Sequence, residues 1–530
     1  MLVGIIDLLY DRIPSRRCDL YGYYFRKQFM GIAPQAVAVW CRQLGHRVHY
    51  RTYWGQTDPL RLLPDDLDVL FVSSYTQSSA LAYAIATIFK RKGTLTVIGG
   101  PHARSFPTDC ARFFDIVVKD CDRQLVDDIL RRRFDARAVV SSCRPPREFP
   151  SVEERMPEIR VSSFYQKGPG PASFIPILSS VGCPYSCNFC VDWNSTYVTL
   201  PVDRLHADLD FVSRHYPKIV VAYHDPNFAV RFDSTMDVIL RIPVHRRNPY
   251  VMESSLSILK QERLPRLAET NCVYVVPGVE SWTDYSNKSG TASHTGYDKL
   301  EKVIGQLDMI RKYVSGIQVN FMFGTDGDQG DAPIALTKEF IRRMPEVWPS
   351  INIPTPYGGT PLYDQLYREG RIIAGMPFAF YYNPYLAIGI NHYDPASFYD
   401  RLIDLNLARA SGTILLRRLA SRAPRAIRFV NAVRTFDTWL ELRELRRIRA
   451  MLRADAQFCA FHEGRSQALP PFYAHLFERR LGRYAELLPP AARHPILDHP
   501  PPPIGPSIAR DTPPRTEFQT AAVKSASVGE

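Results

Sequence analysis

The segment VGCPYSCNFCV, residues 181–191, holds three of the ten cysteines of the chain within eight positions. Cys183, Cys187 and Cys190 form the pattern C-x3-C-x2-C. The other cysteines are scattered: Cys272 and Cys459 stand alone, and no second C-x2-C pair exists. Because thiols at so close a spacing are typical of a shared site, this segment directs the interpretation of the rest of the chain.

Three thiols fit an iron–sulfur cluster better than the alternatives. A structural zinc site is closed by four ligands, and a disulfide would pair two of the cysteines and strand the third. A 4Fe-4S cluster is held by cysteine thiolates, and three of them leave one iron open for a substrate or cofactor. We therefore predict such a cluster on these cysteines, with zinc and coincidence as the weaker alternatives.

Length and composition set the broad class. A chain of 530 residues predicts two or three domains, and 45% hydrophobic content is typical of a globular protein. The first residues lack a basic leader with a cleavage site, and no apolar run approaches the roughly 18 residues of a membrane span. We therefore expect a cytoplasmic protein, in which cysteines bind metal or catalyse rather than form disulfides.

The region after residue 172 alternates strands and helices. Segment 296–310 is clearly amphipathic, since Leu300, Val303 and Leu307 share a helical face. Six strand-like runs with helices between most of them predict a parallel sheet with right-handed crossovers. Functional residues are then expected at the carboxyl ends of strands, where the cysteine loop follows the first strand. The runs are 173–180, 218–223, 250–258, 272–281, 316–324 and 350–357.

The first 140 residues predict a separate doubly wound, Rossmann-like α/β domain. Five β-rich runs begin at residues 1, 46, 67, 94 and 114, and segments 34–45 and 79–93 between them are predicted helices that end at glycine. Ligands of such sheets lie beyond the carboxyl ends of the strands. SSYTQSS (73–79) and GGPHARSFP (99–107) occupy these ends, and their small residues let a bulky ligand approach the backbone.

The cysteine motif, with Phe189 before its last cysteine, resembles the signature of the radical S-adenosylmethionine (SAM) enzymes. The resemblance implies an open partial (β/α)6 barrel in which the open iron chelates SAM. One electron then splits the sulfonium bond, and a 5′-deoxyadenosyl radical abstracts hydrogen from the substrate. The similarity covers about residues 173–370 and is to the anaerobic magnesium-protoporphyrin cyclase-like branch of the family.

The same resemblance implies a set of SAM-binding residues at strand ends. YHDPNF (223–228) corresponds to a turn near the SAM amino group, although an Asp-Pro turn that caps a helix is an alternative. GVES (278–281) corresponds to a glutamate that approaches the ribose, and FMFGTDGD (321–328) to the strand that supports adenine. The implied residues are Asp225, Asn227, Glu280, Ser281 and Gly324.

Three stretches depart from the family pattern. NKSGT (287–291) carries an inserted serine, and FMFGTDGD lacks the usual Pro-Gly-Glu-Thr continuation. PYGGTPLYDQL (356–366) resembles the closing Pro-Gly-Thr-Pro-Leu element with one additional glycine.

The first 140 residues resemble the cobalamin-binding domain that is fused to many radical SAM enzymes, through LGHRV, VIGGPHA and FDIVVKD. The Asp-x-His-x-x-Gly motif that supplies the cobalt ligand elsewhere is absent, and KDCD (119–122) replaces the usual Gly-Glu-Gly-Glu. The resemblance implies cobalamin bound without a protein histidine, or a domain that only supports the barrel. The implied residues are Ser73, Ser74, Thr76, Gly99, Gly100 and His102, the last as a hydrogen-bonding group rather than a cobalt ligand.

We predict five segments along the chain. Residues 1–140 form the cobalamin-binding-like domain, 141–172 a linker, and 173–370 the barrel; 371–495 form a helical C-terminal domain and 496–530 a disordered tail. Thirteen arginines and no lysine lie between Arg401 and Arg453. A solvated face whose arginines pair with interleaved acids is the first interpretation, an anionic membrane surface the second and nucleic acid the third.

The predicted function is that of a radical SAM enzyme, with methylcobalamin between the two domains methylating an unactivated carbon. Alternatives are a cobalamin-independent oxidation, cyclisation or rearrangement, a non-catalytic cobalamin or cluster sensor, and an RNA methylthiotransferase, which usually needs three further cysteines. The expected partners are a small-molecule, lipid or peptide substrate and an electron donor such as flavodoxin or ferredoxin. The basic C-terminal helices are a candidate for membrane-surface contact, and no nucleic acid is expected.

Overall fold

The computed structural model describes residues 1–14, 22, 26–142, 149–165, 168–170, 172–285 and 294–499. The first sheet has six strands, all parallel, in the order β2-β1-β3-β4-β5-β6. Its interior is a run of buried aliphatic side chains, as expected of a sheet covered on both faces. The predicted doubly wound domain is confirmed, and its strand order reverses between β1 and β3. The strands are β1 (Leu2–Leu8), β2 (Arg47–Tyr53), β3 (Val69–Ser74), β4 (Leu95–Gly99), β5 (Ile116–Val118) and β6 (Ala138–Val140).

Helices cover both faces of this sheet, and one further helix leads to the second sheet. That helix lies inside the predicted linker and begins at a capping box, in which Ser151 and Glu154 bond each other's backbone N–H groups. The helices are α1 (Ile32–Gln43), α2 (Ser79–Arg91), α3 (Pro101–Ser105), α4 (Pro107–Cys110), α5 (Arg123–Leu130) and α6 (Val152–Ser163).

The second sheet is parallel, and its strands β7 and β10 to β15 lie side by side in chain order. β12 and β13 are two parts of one strand, since both pair with β14. The predicted six-stranded partial barrel is therefore confirmed. Its strands are β7 (Phe174–Ile177), β10 (Val220–Tyr223), β11 (Tyr250–Glu253), β12 (Cys272–Val276), β13 (Gly278–Glu280), β14 (Gly316–Met322) and β15 (Trp348–Asn352), with a hairpin of β8 (Ser180–Val181) and β9 (Val198–Thr199) after the first.

Amphipathic helices connect these strands, and the segment 296–310 is helical over the predicted range. Its apolar face is buried against the sheet, which explains why its pattern was readable from the sequence. The barrel helices are α7 (Val202–His215), α8 (Phe232–Leu240), α9 (Leu264–Glu269), α10 (Gly296–Ile310), α11 (Ala332–Arg343) and α12 (Pro361–Arg368).

The C-terminal region is helical, as predicted. Its aromatic segment 376–394 is core, because Phe378, Phe380 and Tyr381 are buried in the same cluster as side chains of the first sheet. Residues 500–530 lie outside the described residues, so the disordered tail and the exact domain boundaries stay predictions. The helices are α13 (Pro395–Arg409), α14 (Gly412–Ala420), α15 (Arg425–Ala454), α16 (Ala456–His462), α17 (Pro471–Leu481) and α18 (Pro490–Arg493).

The carboxyl edges of the two sheets meet. Arg104, in the helix after β4, forms an ion pair of 3.0 Å with Asp192 in the cysteine loop after β7. Gly358, beyond the carboxyl end of β15, lies so close to the first domain that a Cβ there would be 1.9 Å from the carbonyl oxygen of Ser105. The two contacts place the predicted ligand-binding edges against each other.

Every helix among the described residues is too short or too polar to cross a bilayer.

Gly358→Ala tests the contact between residue 358 and Ser105 of the first domain. The added methyl group must displace the Ser105 backbone, so we expect the free energy of unfolding to fall by about 1–3 kcal/mol. The measurement is urea denaturation followed by circular dichroism. Gly305→Ala, in the middle of α10 with no atom within 4 Å of its Cβ, is the matched control and should gain about 0.5–1 kcal/mol. Equal effects of both substitutions would contradict the packing.

Candidate functional site

The cysteine loop begins directly after β7 and is closed at its base by the β8–β9 hairpin. Gly182 has a φ of +71°, and a Cβ there would lie 2.2 Å from the carbonyl oxygen of Thr196. Only glycine allows the two sides of the loop to approach so closely. The loop is thereby fixed at the carboxyl edge of the barrel, where the sequence predicted it.

Within the loop, Cys187 and Cys190 share a turn, because the Cys190 N–H donates to the Cys187 carbonyl at 3.1 Å. The N–H of Asp192 donates to Sγ of Cys190 at 3.5 Å, a contact that favours the thiolate. Cys183 is buried and the other two are half-buried. Among the described residues, no three Cys, His, Asp or Glu side chains converge on one ion-sized site. The assignment of the three thiolates to a 4Fe-4S cluster therefore rests on their number and spacing in the sequence.

Asp225 anchors the segment that precedes the cysteines. Its carboxylate accepts hydrogen bonds from the N–H and hydroxyl of Ser179 and from the hydroxyl of Ser180, at 2.6–3.2 Å. Burial raises the pKa of Asp225, and these hydrogen bonds oppose the shift. The structure thus gives this residue a role in holding the loop, while its contact with SAM stays a prediction.

Asn227 lies two residues further on and is fully buried. Its Oδ1 accepts the N–H of Ser255 at 3.0 Å, after the end of β11. Its Nδ2 has no hydrogen-bond partner among the described residues. A buried donor of this kind fits a polar ligand such as SAM.

Glu280 ends β13 with a φ of +66°, and its carboxylate folds back over Gly278. A Cβ at position 278 would lie 2.0 Å from Oε1 of Glu280, so the glycine makes room for this orientation. Lys299 of α10 is buried nearby and donates to the Thr283 carbonyl at 2.6 Å. Burial lowers the pKa of Lys299 to about 8, while the charges of Glu280 and Asp284 oppose the shift.

Ser281 and Gly324 are brought together by Asp328, which the sequence analysis did not single out. The carboxylate of Asp328 accepts the N–H of Gly324 at 3.0 Å and the hydroxyl of Ser281 at 3.5 Å. The N–H of Thr325 also donates to it. The carboxyl ends of β13 and β14 are therefore joined at one point, although their residues are far apart in the sequence. NKSGT (287–291) lies outside the described residues.

Two aromatic contacts connect the cysteine loop to these strand ends, and they involve Tyr285 and Tyr185, which the sequence did not single out. Phe189 stacks on Tyr285 with ring centroids 5.7 Å apart. The hydroxyl groups of Tyr185 and Ser257 are 2.8 Å apart, which joins the loop to the segment after β11. The cysteine loop, Glu280 and Asn227 therefore all lie at the carboxyl edge of the second sheet.

The first sheet presents its predicted residues at the opposing edge. Gly100 has a φ of +91°, and a Cβ there would lie 3.1 Å from the backbone N and O of Ser74. Gly99 precedes it, and the hydroxyl of Ser73 is also within 3.3 Å of this position. Thr76 is buried in the turn that follows β3. Gly100 thus lets the ends of β3 and β4 pack closely, whereas a Cβ at Gly99 would meet only the Val118 carbonyl oxygen, at 3.9 Å, so a large flat ligand can approach the end of β4 at Gly99.

His102 is buried in the core rather than exposed at this edge. It is fully buried, its Nε2 lies 2.6 Å from the hydroxyl of Tyr83, and its ring packs against Phe378. Burial lowers the pKa of His102 to about 3, so the ring is neutral. This agrees with the prediction of a hydrogen-bonding histidine, and its place in cobalamin binding stays untested.

A buried carboxylate that the sequence analysis missed lies at the point where the strand order reverses. Asp7 of β1 accepts the N–H of Gly31 at 2.8 Å, and burial raises its pKa to about 6. Tyr75, after β3, is half-buried and its hydroxyl donates to the Phe29 carbonyl at 3.0 Å; burial and then the charges of Asp7 and Glu253 raise its pKa. Because Glu253 ends β11, the Tyr75 ring marks the space between the two carboxyl edges.

Comparison with known proteins supports this arrangement. No family model matches the chain. The bacteriochlorophyllide d C-8(2)-methyltransferase of Chlorobaculum tepidum is 26% identical over 365 residues, which are 63% of this chain and 75% of that protein. The radical SAM methyltransferase TsrM of Kitasatospora setae, solved with cobalamin and a [4Fe-4S] cluster, aligns with a TM-score of 0.53 at 12% identity over 84% of this chain and 99% of its own. The cobalamin-dependent radical SAM enzyme OxsB, solved with aqua-cobalamin and SAM, gives 0.54 at 11% identity over 86% and 74%.

These similarities confirm the fold class predicted from the sequence and the predicted resemblance to radical SAM enzymes with a cobalamin-binding-type domain. They do not test individual residues, so the assignments of SAM and cobalamin contacts stay predictions.

Asp225→Ala tests the anchoring of the loop. Removing a carboxylate that is 2% exposed leaves the Ser179 N–H and two hydroxyl groups unpaired, which should cost about 1–3 kcal/mol. Because these groups precede the cysteines, we also expect fewer iron atoms per chain after anaerobic reconstitution. Asp203→Ala, on the exposed surface of α7, is the control and should change neither quantity. Unchanged iron content in Asp225→Ala would contradict the anchoring role.

Proposed function

We propose that this chain is a radical SAM enzyme that uses cobalamin to methylate an unactivated carbon. The observation that carries the proposal is the meeting of two carboxyl edges, one with the cysteine loop and one with the open strand end at Gly99. The relatives and structural neighbours support the enzyme class and the three cofactors, a 4Fe-4S cluster, SAM and cobalamin.

The residues of the barrel edge suit the first two cofactors. Cys183, Cys187 and Cys190 would hold the cluster and leave one iron for SAM. Glu280 would accept hydrogen bonds from the ribose hydroxyls, and the unpaired Nδ2 of Asn227 would donate to a polar group of SAM. When bound, these cofactors supply reductive cleavage of SAM, and cobalamin supplies a methyl carrier. The protein orients them and excludes water and oxygen.

The first domain would hold cobalamin through backbone contact rather than a cobalt ligand. Gly99 leaves the end of β4 open to a flat macrocycle, and His102 is buried with its Nε2 hydrogen-bonded to Tyr83. Asp7 of β1 and Tyr75 after β3 lie near the same strand ends, since the charge of Asp7 acts on Tyr75. These residues would hold the corrinoid at the edge of the first sheet that meets the barrel, and the corrinoid would supply the methyl carrier there.

The substrate belongs to this proposal as a class. The relative from Chlorobaculum tepidum is named for a bacteriochlorophyllide, a large and mostly apolar molecule. We infer a small organic, lipid or peptide substrate that enters between the two edges, and a flavodoxin- or ferredoxin-type protein as electron donor. A cytoplasmic location is also proposed, because a C-x3-C-x2-C pattern is typical of cysteines that bind metal in a reducing compartment.

The test is SAM turnover by anaerobically reconstituted, reduced protein. We expect 5′-deoxyadenosine and methionine from the wild type, and S-adenosylhomocysteine only when cobalamin is supplied. Cys187→Ala should lose the cluster absorbance and at least a hundredfold of 5′-deoxyadenosine formation, because the cluster loses one of three thiolates.

Cys459→Ala is the matched control, since this half-buried cysteine lies in α16, outside the motif, and should leave turnover unchanged. A Cys187→Ala variant that kept its cluster and cleaved SAM would overturn the proposal. Cleavage of SAM without any cobalamin-dependent S-adenosylhomocysteine would instead support the alternative of cobalamin-independent radical chemistry.

A further inference from the structure

Helices α14 and α15 expose an unusual number of large apolar side chains. Six of them are at least 42% exposed, whereas such residues normally face the core or occur singly on a surface. The ring centroids of Phe436 and Trp439 are 6.4 Å apart in an edge-to-face arrangement, so these two side chains form one continuous apolar surface. The six are Leu416, Leu419, Phe429, Phe436, Trp439 and Leu440, and we call them the exposed apolar patch.

The spacing of these residues places most of them on one side of α15. Phe429, Phe436 and Leu440 are seven and four positions apart, which brings them onto one stripe of an α-helix. Arg425 and Arg443 continue the same stripe at its two ends and are exposed. The stripe is therefore apolar in the middle and cationic at both ends.

Two of the three acids of α15, Glu441 and Glu444, contact other elements, and the charge of the third, Asp437, acts on Arg409 of α13. Glu441 accepts from Arg409 of α13 at 2.8 Å, and Glu444 accepts from the hydroxyl of Tyr385 at 3.2 Å. Asp400 of α13 pairs with Arg449 and Arg453. These ion pairs run to other elements, and pairing of the arginines with acids along the same helix stays a prediction.

Contacts on the opposite side of the helix pair place it at the amino edge of the barrel. Arg434 donates to the hydroxyl of Tyr274 in β12 at 2.7 Å, and Arg418 of α14 donates to the carbonyl of Pro345 before β15 at 2.9 Å. A Cβ at Gly316, the first residue of β14, would touch Ile427 of α15. The patch thus lies at the end of the barrel opposite to the cysteine loop.

We propose that the exposed apolar patch and the arginines beside it dock the enzyme on an anionic lipid membrane. Amphipathic helices with aromatic and leucine side chains on one side and arginines around them lie in the plane of a bilayer, with the apolar groups in the headgroup region. Arginine stems extend over apolar surface while the guanidinium groups reach lipid phosphates. Each such arginine strengthens binding to an anionic leaflet.

The arginines favour a membrane over a second copy of the chain. A symmetric dimer through this patch would bring Arg425, Arg443 and their copies together, while Glu441 and Glu444 are already engaged inside each chain. An anionic leaflet instead supplies mobile phosphates to every exposed arginine. A nucleic acid would not cover the central phenyl and leucine side chains as a lipid does.

The experiment is flotation of the full chain with vesicles of phosphatidylglycerol and of phosphatidylcholine at 0.1 M salt. We expect the wild type to float with the anionic vesicles, at least tenfold more than with the neutral ones, and less at higher salt. Phe436→Ser with Leu440→Ser should reduce binding at least tenfold, and Arg443→Gln about fivefold. Val244→Ser is the matched control, because Val244 is 74% exposed outside the patch, and it should bind as the wild type does.

Light scattering of the same proteins tests the other occupant. A wild-type dimer that becomes a monomer in the double variant would assign the patch to a second copy and overturn the proposal. Equal flotation of wild type and double variant, or no flotation of the wild type, would overturn it as well. SAM cleavage should be unchanged in the double variant, so the experiment tests the docking surface independently of the proposed activity.

Discussion

The position of the cysteine loop between two carboxyl edges is the constraint on which the other features depend. Gly182 closes the loop at its base, Asp225 holds the strand that leads into it, and Arg104 connects it to the first domain. Each contact joins residues that lie between 14 and 88 positions apart. Without them, the thiols would lie on a long surface loop with no fixed relation to either sheet.

The sequence predicted much of the fold because its signals were local. Buried strands appear as short aliphatic runs, and α10 has an apolar face of unbroken periodicity. The same reasoning missed β6, which has only three residues, and α6, whose pattern is obscured by Pro157 in a charged segment. The cysteine motif was readable for the same reason as the strands, since its chemistry lies in one short stretch.

The details of the site were less accessible because they depend on tertiary contacts. Asp328 looks like one acid among several in a turn, and only the fold shows that it joins Gly324 to Ser281. Tyr285 gave no signal because its stacking partner Phe189 is almost a hundred residues away. For His102, the sequence predicted a hydrogen-bonding group, and only the fold shows that its partner is the Tyr83 hydroxyl and that its ring packs against Phe378.

The proposed function requires one chain to bind both a 4Fe-4S cluster and cobalamin at facing sheet edges. The most direct test is to measure how much of each cofactor the protein binds. Protein reconstituted without oxygen with iron, sulfide and hydroxocobalamin, then desalted, should show about one cobalamin and one 4Fe-4S cluster per chain in its absorbance spectrum and metal analysis. A Gly99→Val variant should keep the cluster and lose cobalamin, because a Cβ at position 99 meets only the Val118 carbonyl oxygen, at 3.9 Å, and the side chain would extend into the open space at the end of β4. A cluster without cobalamin in the wild type would contradict the account and reduce the first domain to a support for the barrel.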